Sequence, residues 1–311
     1  MPGLEPLFEA FRAVGEDPSR VLTDANPYLV VYGHHVMGLN SVPGVILIPQ
    51  RTERGIRARI TVLEGHHIEP PVHLCFGLFE RFGVQNVELD LTLQPGTRAT
   101  FWSHCLFTTP EIARHAMTAS VRVAAGAELT YHEAHYHGVS GGLEVVARAT
   151  VTLGQGARYR ADFALVQGRV GKLDLDYTVA VGEAALAELT SRVYGHLTDA
   201  IRIREALSLD GPGSRGLIKS RVAVEDEASA EVLGETTGNA DGARGHVDCL
   251  EVVRGAARAS AVPKVAVTHA GAQVTHEAAI GRVDARQLET LMARGLSPDE
   301  AADVIVRGML G

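Results

Sequence analysis

The sequence predicts an all-β core built as a right-handed parallel β-helix, with a helical segment before it and a helical hairpin after it. Three observations carry this. Gly supplies 33 of 311 residues while aromatic residues make up only 5%, which favours many tight turns between small-residue strands over amphipathic bundles. Turn signals recur at a nearly fixed step, and the segments between them alternate apolar and polar residues. A hydrophobic fraction of 46% supports one substantial core.

The repeat is legible in the middle of the chain. GTRATFWSHCLF starts at Gly96, GAELTYHEAHYH at Gly126, GARYRADFALVQ at Gly156 and EAALAELTSRVY at Glu183, giving steps of 30, 30 and 27. Beyond them GSRGLIKSRVAV starts at Gly213, ASAEVLGETT at Ala228, GARGHVDCLEV at Gly242, AARASAVPKVAV at Ala256 and GAQVTHEAAIG at Gly271, in steps of 15, 14, 14 and 15. A unit of about 30 residues with two similar halves suits a solenoid in which each coil adds one strand to each of two faces. An antiparallel sandwich with a coincidental turn spacing is the alternative. The register predicts that Ala127, Leu129, Tyr131, Ala157, Tyr159, Phe163 and Leu165 face inward, and that Arg98, Glu128, Arg158, Arg160 and Asp162 face outward.

The ends read as helices. LEPLFEAFRAVGE places Leu4, Leu7, Phe8 and Phe11 at helical spacing, with Pro18 as the stop. At the other end Asp284 is the expected N-cap of DARQLETLMARGL, and Ser297, with Pro298 at the first helical position, caps SPDEAADVIVRGML. The expected organisation is therefore a helical and mixed segment over 1–54, the β-helix over 55–281 and a helical segment over 282–311. Leu288, Leu291, Met292, Val304, Ile305 and Met309 give the hairpin an apolar face that either caps the last coil or docks a partner.

A net charge of −8 with no basic block argues against nucleic acid or an anionic membrane surface as a partner. The first residues lack an export signal and no apolar run approaches 20 residues, so a cytoplasmic, non-membrane protein is expected. Cys75, Cys105 and Cys249 are odd in number and far apart, which suits free thiols. There is no Walker or G-x-G-x-x-G motif and no G-x-S-x-G elbow, so neither ATP binding nor serine hydrolase chemistry is expected of this chain. A single Trp and no outward aromatic row count against a solenoid carbohydrate enzyme.

One constellation stands out on register alone. Cys105 and His135 share the same offset in neighbouring coils, and Glu133, His135 and His137 alternate on the inward parity. Ionisable groups inside a solenoid are costly unless ligating, hydrogen-bonded or wet. The group is either a metal or sulfur-transfer path or a satisfied polar network, whereas Cys75 reads as core.

The last residues, THAGAQVTHEAAIGRVDARQLETLMARGLSPDEAADVIVRGML, resemble the C-terminal signature of the SufB/SufD family, and PVHLCFG, YHEAHYHG and GRVGKLDLDY resemble its short members. The resemblance covers nearly the whole chain. It implies a non-enzymatic scaffold for iron–sulfur cluster assembly, acting as a homodimer through the C-terminal end of the β-helix. It further implies a SufC-like ABC-type ATPase docked on the C-terminal helices and a transient cluster of the [4Fe–4S] type. The family's ligand-bearing His-Glu-Ala triplet falls on His276, Glu277 and Ala278. The assembly cysteine of SufB falls near Ala257 or Arg258 and is missing, which also suits a SufD-like structural partner that holds no cluster. Cys249 is the substitute candidate: it lies one coil before His276 on the same parity, offset by two residues. On the opposite parity His246, Asp248 and Glu277 stack in the same way.

Overall fold

The computed structural model describes residues 5–13, 15, 17–53 and 55–311; Leu4 lies outside them. The N-terminal segment holds α1 (Glu5–Ala13), α2 (Pro18–Val21), β1 (Tyr28–Tyr32), β2 (His35–Asn40) and β3 (Val45–Arg51). Pro18 opens α2 instead of merely ending α1: a proline costs nothing at a first helical position, and the Asp17 side chain accepts from the Ser19 N–H as N-cap.

The solenoid follows as β4 (Gly55–Val62), β5 (Val72–Gly77), β6 (Phe82–Leu93), β7 (Arg98–Phe107), β8 (Ile112–Val123), β9 (Glu128–His137), β10 (Leu143–Leu153) and β11 (Arg158–Gln167). It continues as β12 (Lys172–Val181), β13 (Leu186–Gly195), β14 (Ala200–Leu209), β15 (Arg215–Val224), β16 (Ser229–Gly238), β17 (Arg244–Val253), β18 (Arg258–Val267) and β19 (Gln273–Gly281). Successive strands alternate between a 10-stranded sheet ending at β19 and a 9-stranded sheet ending at β18. From β4 onward each strand pairs in parallel with the strand two places on, for example Cys105 beside His135 and Asp248 beside Glu277. The antiparallel pairs are β1 with β2 and β3 with β4, at the N-terminal end. The fold is a parallel β-solenoid, and the sandwich alternative falls.

Alternation puts one apolar row from each strand inside. Leu129, Tyr131, Tyr159, Phe163 and Leu165 are buried, as their parity predicts, within one continuous core. Outward rows carry charges that pair across coils, as in Arg98–Glu128 and Arg158–Glu128; such cross-strand pairs replace the like-charge repulsion a perfect repeat would create. Most corners use glycine at positive φ, but Ala184, Leu197 and Asp226 occupy the same left-handed conformation without it.

The C-terminal helices are α3 (Ala285–Met292) and α4 (Pro298–Leu310), capped by Asp284 and by a Ser297/Glu300 capping box. Helix α4 lies on the outer face of the 10-stranded sheet, where Val306 and Leu310 pack on Tyr194 and Ala223. Arg254 donates to Asp303 Oδ1 at 2.7 Å and to Glu225 Oε2 at 2.8 Å, pinning the helix to the sheet. The last coil is left open: His276, Glu277, Ala278, Ala279 and Ile280 are all exposed. Helix α3 buries no residue, and Met292 and Val304 are exposed.

Candidate functional site

The interior constellation forms as the register predicts. Donor atoms of Cys105, Glu133 and His135 all lie within 4.8 Å of one another, and all three residues are buried. His135 Nε2 is 2.9 Å from Glu133 Oε1, while Tyr177 Oη donates to Glu133 Oε2 at 2.9 Å. His137 Nε2 lies 3.5 Å from His135 Nδ1, and its Nδ1 donates to the Arg169 carbonyl at 3.0 Å. Burial disfavours every charged form here. It pushes Glu133 up to about 7 and both His135 and His137 down to about 3. It also raises the Cys105 thiol far above its ordinary range, with the Glu133 charge adding to it.

The C-terminal group is split by the sheet. Cys249 is inward and buried, below Ala278, and His276 lies beside Val247 on the same inward row, one coil later and two residues offset. Burial pushes the Cys249 thiol up to about 11. On the outward face Asp248 pairs directly with Glu277 in register. Arg221 holds Asp248 through two nitrogens, which keeps its carboxyl below the usual range. His246 Nδ1 lies 2.8 Å from Thr275 Oγ1. Cys249 and His276 therefore share the open end of the solenoid interior, while His246, Asp248 and Glu277 line its outer wall.

Several polar residues in the interior escaped sequence reasoning. Glu205 is buried on β14 with Ser191 Oγ donating to it at 3.4 Å, and burial pushes it up to about 8. Glu251 is buried two residues from Cys249, and is pushed up to about 7. His115, on β8, faces Gln85 Oε1 at 3.0 Å. The same parity argument that found Glu133 finds each of them: Ile201, Ile203, Glu205 and Leu207 alternate inward, as do Ala113, His115 and Met117. Cys75 is core beside α1, as read from the sequence.

The profile of the SUF system FeS cluster assembly SufBD core domain matches residues 82–309. An iron–sulfur cluster assembly SufBD family protein of Methanocaldococcus jannaschii is 33% identical over 308 residues, covering 99% of this chain and 98% of that protein. A second, from Pyrococcus horikoshii, is 35% identical over 307 residues, covering 99% of this chain and 93% of its own length. The parallel solenoid, the interior and end-coil ligand-type residues, and likeness along nearly the whole length agree, and the chain belongs to the SufBD family of iron–sulfur cluster assembly proteins.

Proposed function

We propose that this chain is a cytoplasmic scaffold subunit on which iron–sulfur clusters are assembled as cargo, working as a homodimer with a separate SufC-like ABC-type ATPase. The observation that carries the reading is the open last coil. There β18 and β19 end their sheets, and the inward row presents exposed His276 with Cys249 one coil beneath it. Iron of such clusters takes thiolate and, less often, imidazole; carboxylate is a further first-row metal ligand. A [4Fe–4S] cluster normally needs about four protein ligands. On the inward row one chain offers Cys249 and His276, so a two-fold axis at this end doubles a set that is short by itself.

The ATPase is assigned to the 284–311 hairpin, because α4 anchors it to the sheet while α3 buries nothing of its own. ATP hydrolysis belongs to that partner, and no catalytic residue is assigned to this chain. The net charge of −8, with no basic block in the sequence, argues against nucleic acid as a partner, and no helix of the described residues is long and apolar enough to cross a membrane.

One observation favours a second reading, a SufD-like structural partner that holds no cluster. Cys249 is covered, its thiol is pushed up to about 11, and Asp248 is committed to Arg221, so ligation needs the end strand to shift. Anaerobic co-expression with the ATPase, followed by light scattering and iron and sulfide analysis, separates the readings. A two-fold complex carrying both elements supports the scaffold; a complex free of iron and sulfide supports the structural partner.

A further inference from the structure

The interior group around Glu133 differs from the end coil in being enclosed, and its hydrogen bonds close only with a proton or a metal ion held between Glu133 and His135. The Arg169 carbonyl can only accept, so His137 Nδ1 carries the proton and its Nε2 presents a lone pair. That lone pair faces His135 Nδ1, which must then be the protonated nitrogen of the second ring. His135 Nε2 is left bare, 2.9 Å from Glu133 Oε1, while the other oxygen of Glu133 already accepts from Tyr177. Two lone pairs at that separation need either a proton on Glu133 Oε1 or a metal ion between them, and Cys105 adds a third donor, the three lying no more than 4.8 Å apart.

A second buried imidazole repeats the pattern. Gln85 Nε2 donates to the Gly33 and Gly77 carbonyls, so its oxygen faces His115 Nδ1 and accepts from it. His115 Nε2 therefore bears a lone pair, and it has no hydrogen-bond partner among the described residues. Its ring meets that of His135 edge-on at 6.0 Å. An imidazole whose far nitrogen is oriented by a fixed acceptor is the usual form of a metal-binding histidine. Next to Glu133 a cavity of about 20 Å³ is lined by Tyr131, Tyr159 and Tyr177 among others. It has room for about one water and is far too small for a cluster.

We propose that Cys105, Glu133 and His135 bind one divalent cation of the iron–zinc class as a resident ion, separate from the cluster cargo. A thiolate, an imidazole and a carboxylate at bond lengths of about 2.0–2.3 Å place donors about 3.3–3.8 Å apart, between the 2.9 Å His135–Glu133 separation and the 4.8 Å limit of the present triangle. Thiolate and carboxylate together cancel the charge of the ion, so the loaded core is neutral, which the apolar surroundings demand. Because the coil is closed around it, the ion enters during folding and exchanges slowly.

The test is elemental analysis of the full chain expressed in iron- and zinc-supplemented media, together with absorption spectra after expression in cobalt. About one iron or zinc per chain is expected, retained after native chelation and in Cys249→Ser/His276→Ala, and lost in Cys105→Ser and Glu133→Gln. The cobalt form should show a near-ultraviolet thiolate charge-transfer band that Cys105→Ser abolishes. Where a variant folds poorly, refolding of the parent with Fe²⁺ or Zn²⁺ gives the independent readout, a raised midpoint of thermal unfolding. A parent chain that holds no stoichiometric metal and is not stabilised on such refolding overturns the proposal. So does metal retained undiminished in both interior variants.

Discussion

Glu205→Gln isolates what burial of one carboxyl does to the solenoid. The Glu205 side chain lies wholly inside the coil, with Ser191 Oγ its hydrogen-bond partner at 3.4 Å, and its pKa is pushed from 4.5 up to about 8. A raised carboxyl pKa means that the folded state prefers the protonated form. The resulting stabilisation is complete below about pH 4.5 and is lost as pH rises through about 8. At about 1.4 kcal/mol per unit, the full loss attributable to this one group is on the order of 5 kcal/mol. Glutamine keeps the shape and removes the titration. Denaturant midpoints of parent and variant, measured at pH 5, 7 and 9 under reducing conditions, should diverge. The variant gains on the parent by roughly 2–4 kcal/mol between pH 5 and 9, while titrations of Glu133 and Glu251 cancel in the difference. Parallel pH profiles would refute the reasoning, because they would mean that Glu205 ionises as freely in the fold as in the unfolded chain.

Gly168→Ala should cost about 2–4 kcal/mol, since φ is +79 and the added methyl would sit 1.8 Å from the His137 carbonyl oxygen. Gly156→Ala, at φ +65 in open space, should cost only about 1–2 kcal/mol; equal losses in thermal unfolding would show that strain alone governs the corners. Removing residues 284–311 should abolish co-purification with the ATPase while leaving β-type circular dichroism intact, and retained binding would move the docking surface elsewhere. Cys75→Ala removes a thiol buried beside Phe11 and Leu106. It should lower stability by about 1 kcal/mol and leave iron content unchanged.

Much of this molecule is legible because a solenoid is nearly one-dimensional. Once the step from Gly126 to Gly156 is read, parity assigns Glu133 and His135 to the interior and Glu128 to the surface, and strand pairing follows. The same logic aligned Cys105 with His135 and Asp248 with Glu277. Glu205 and Glu251 are equally open to that argument: Glu205 stands in a row of aliphatic residues, and Glu251 follows Cys249 on the same inward row. Two features were beyond it. The apolar stripe of α4 shows that the helix packs but not that Tyr194 and Ala223 receive it, since neither breaks the strand pattern. Parity also places Cys249 inward, yet how completely it is covered depends on contacts with neighbouring coils that a register does not measure.

The central claim is that the open last coil, paired across a two-fold axis, holds the nascent cluster. Anaerobic reconstitution of the ATPase complex with iron and sulfide, read by Mössbauer spectroscopy on the parent, Cys249→Ser and His276→Ala, addresses it directly. The account predicts a [4Fe–4S] signal at about one cluster per dimer in the parent and its loss or marked reduction in both variants. An undiminished signal in both variants would contradict it and make these residues structural.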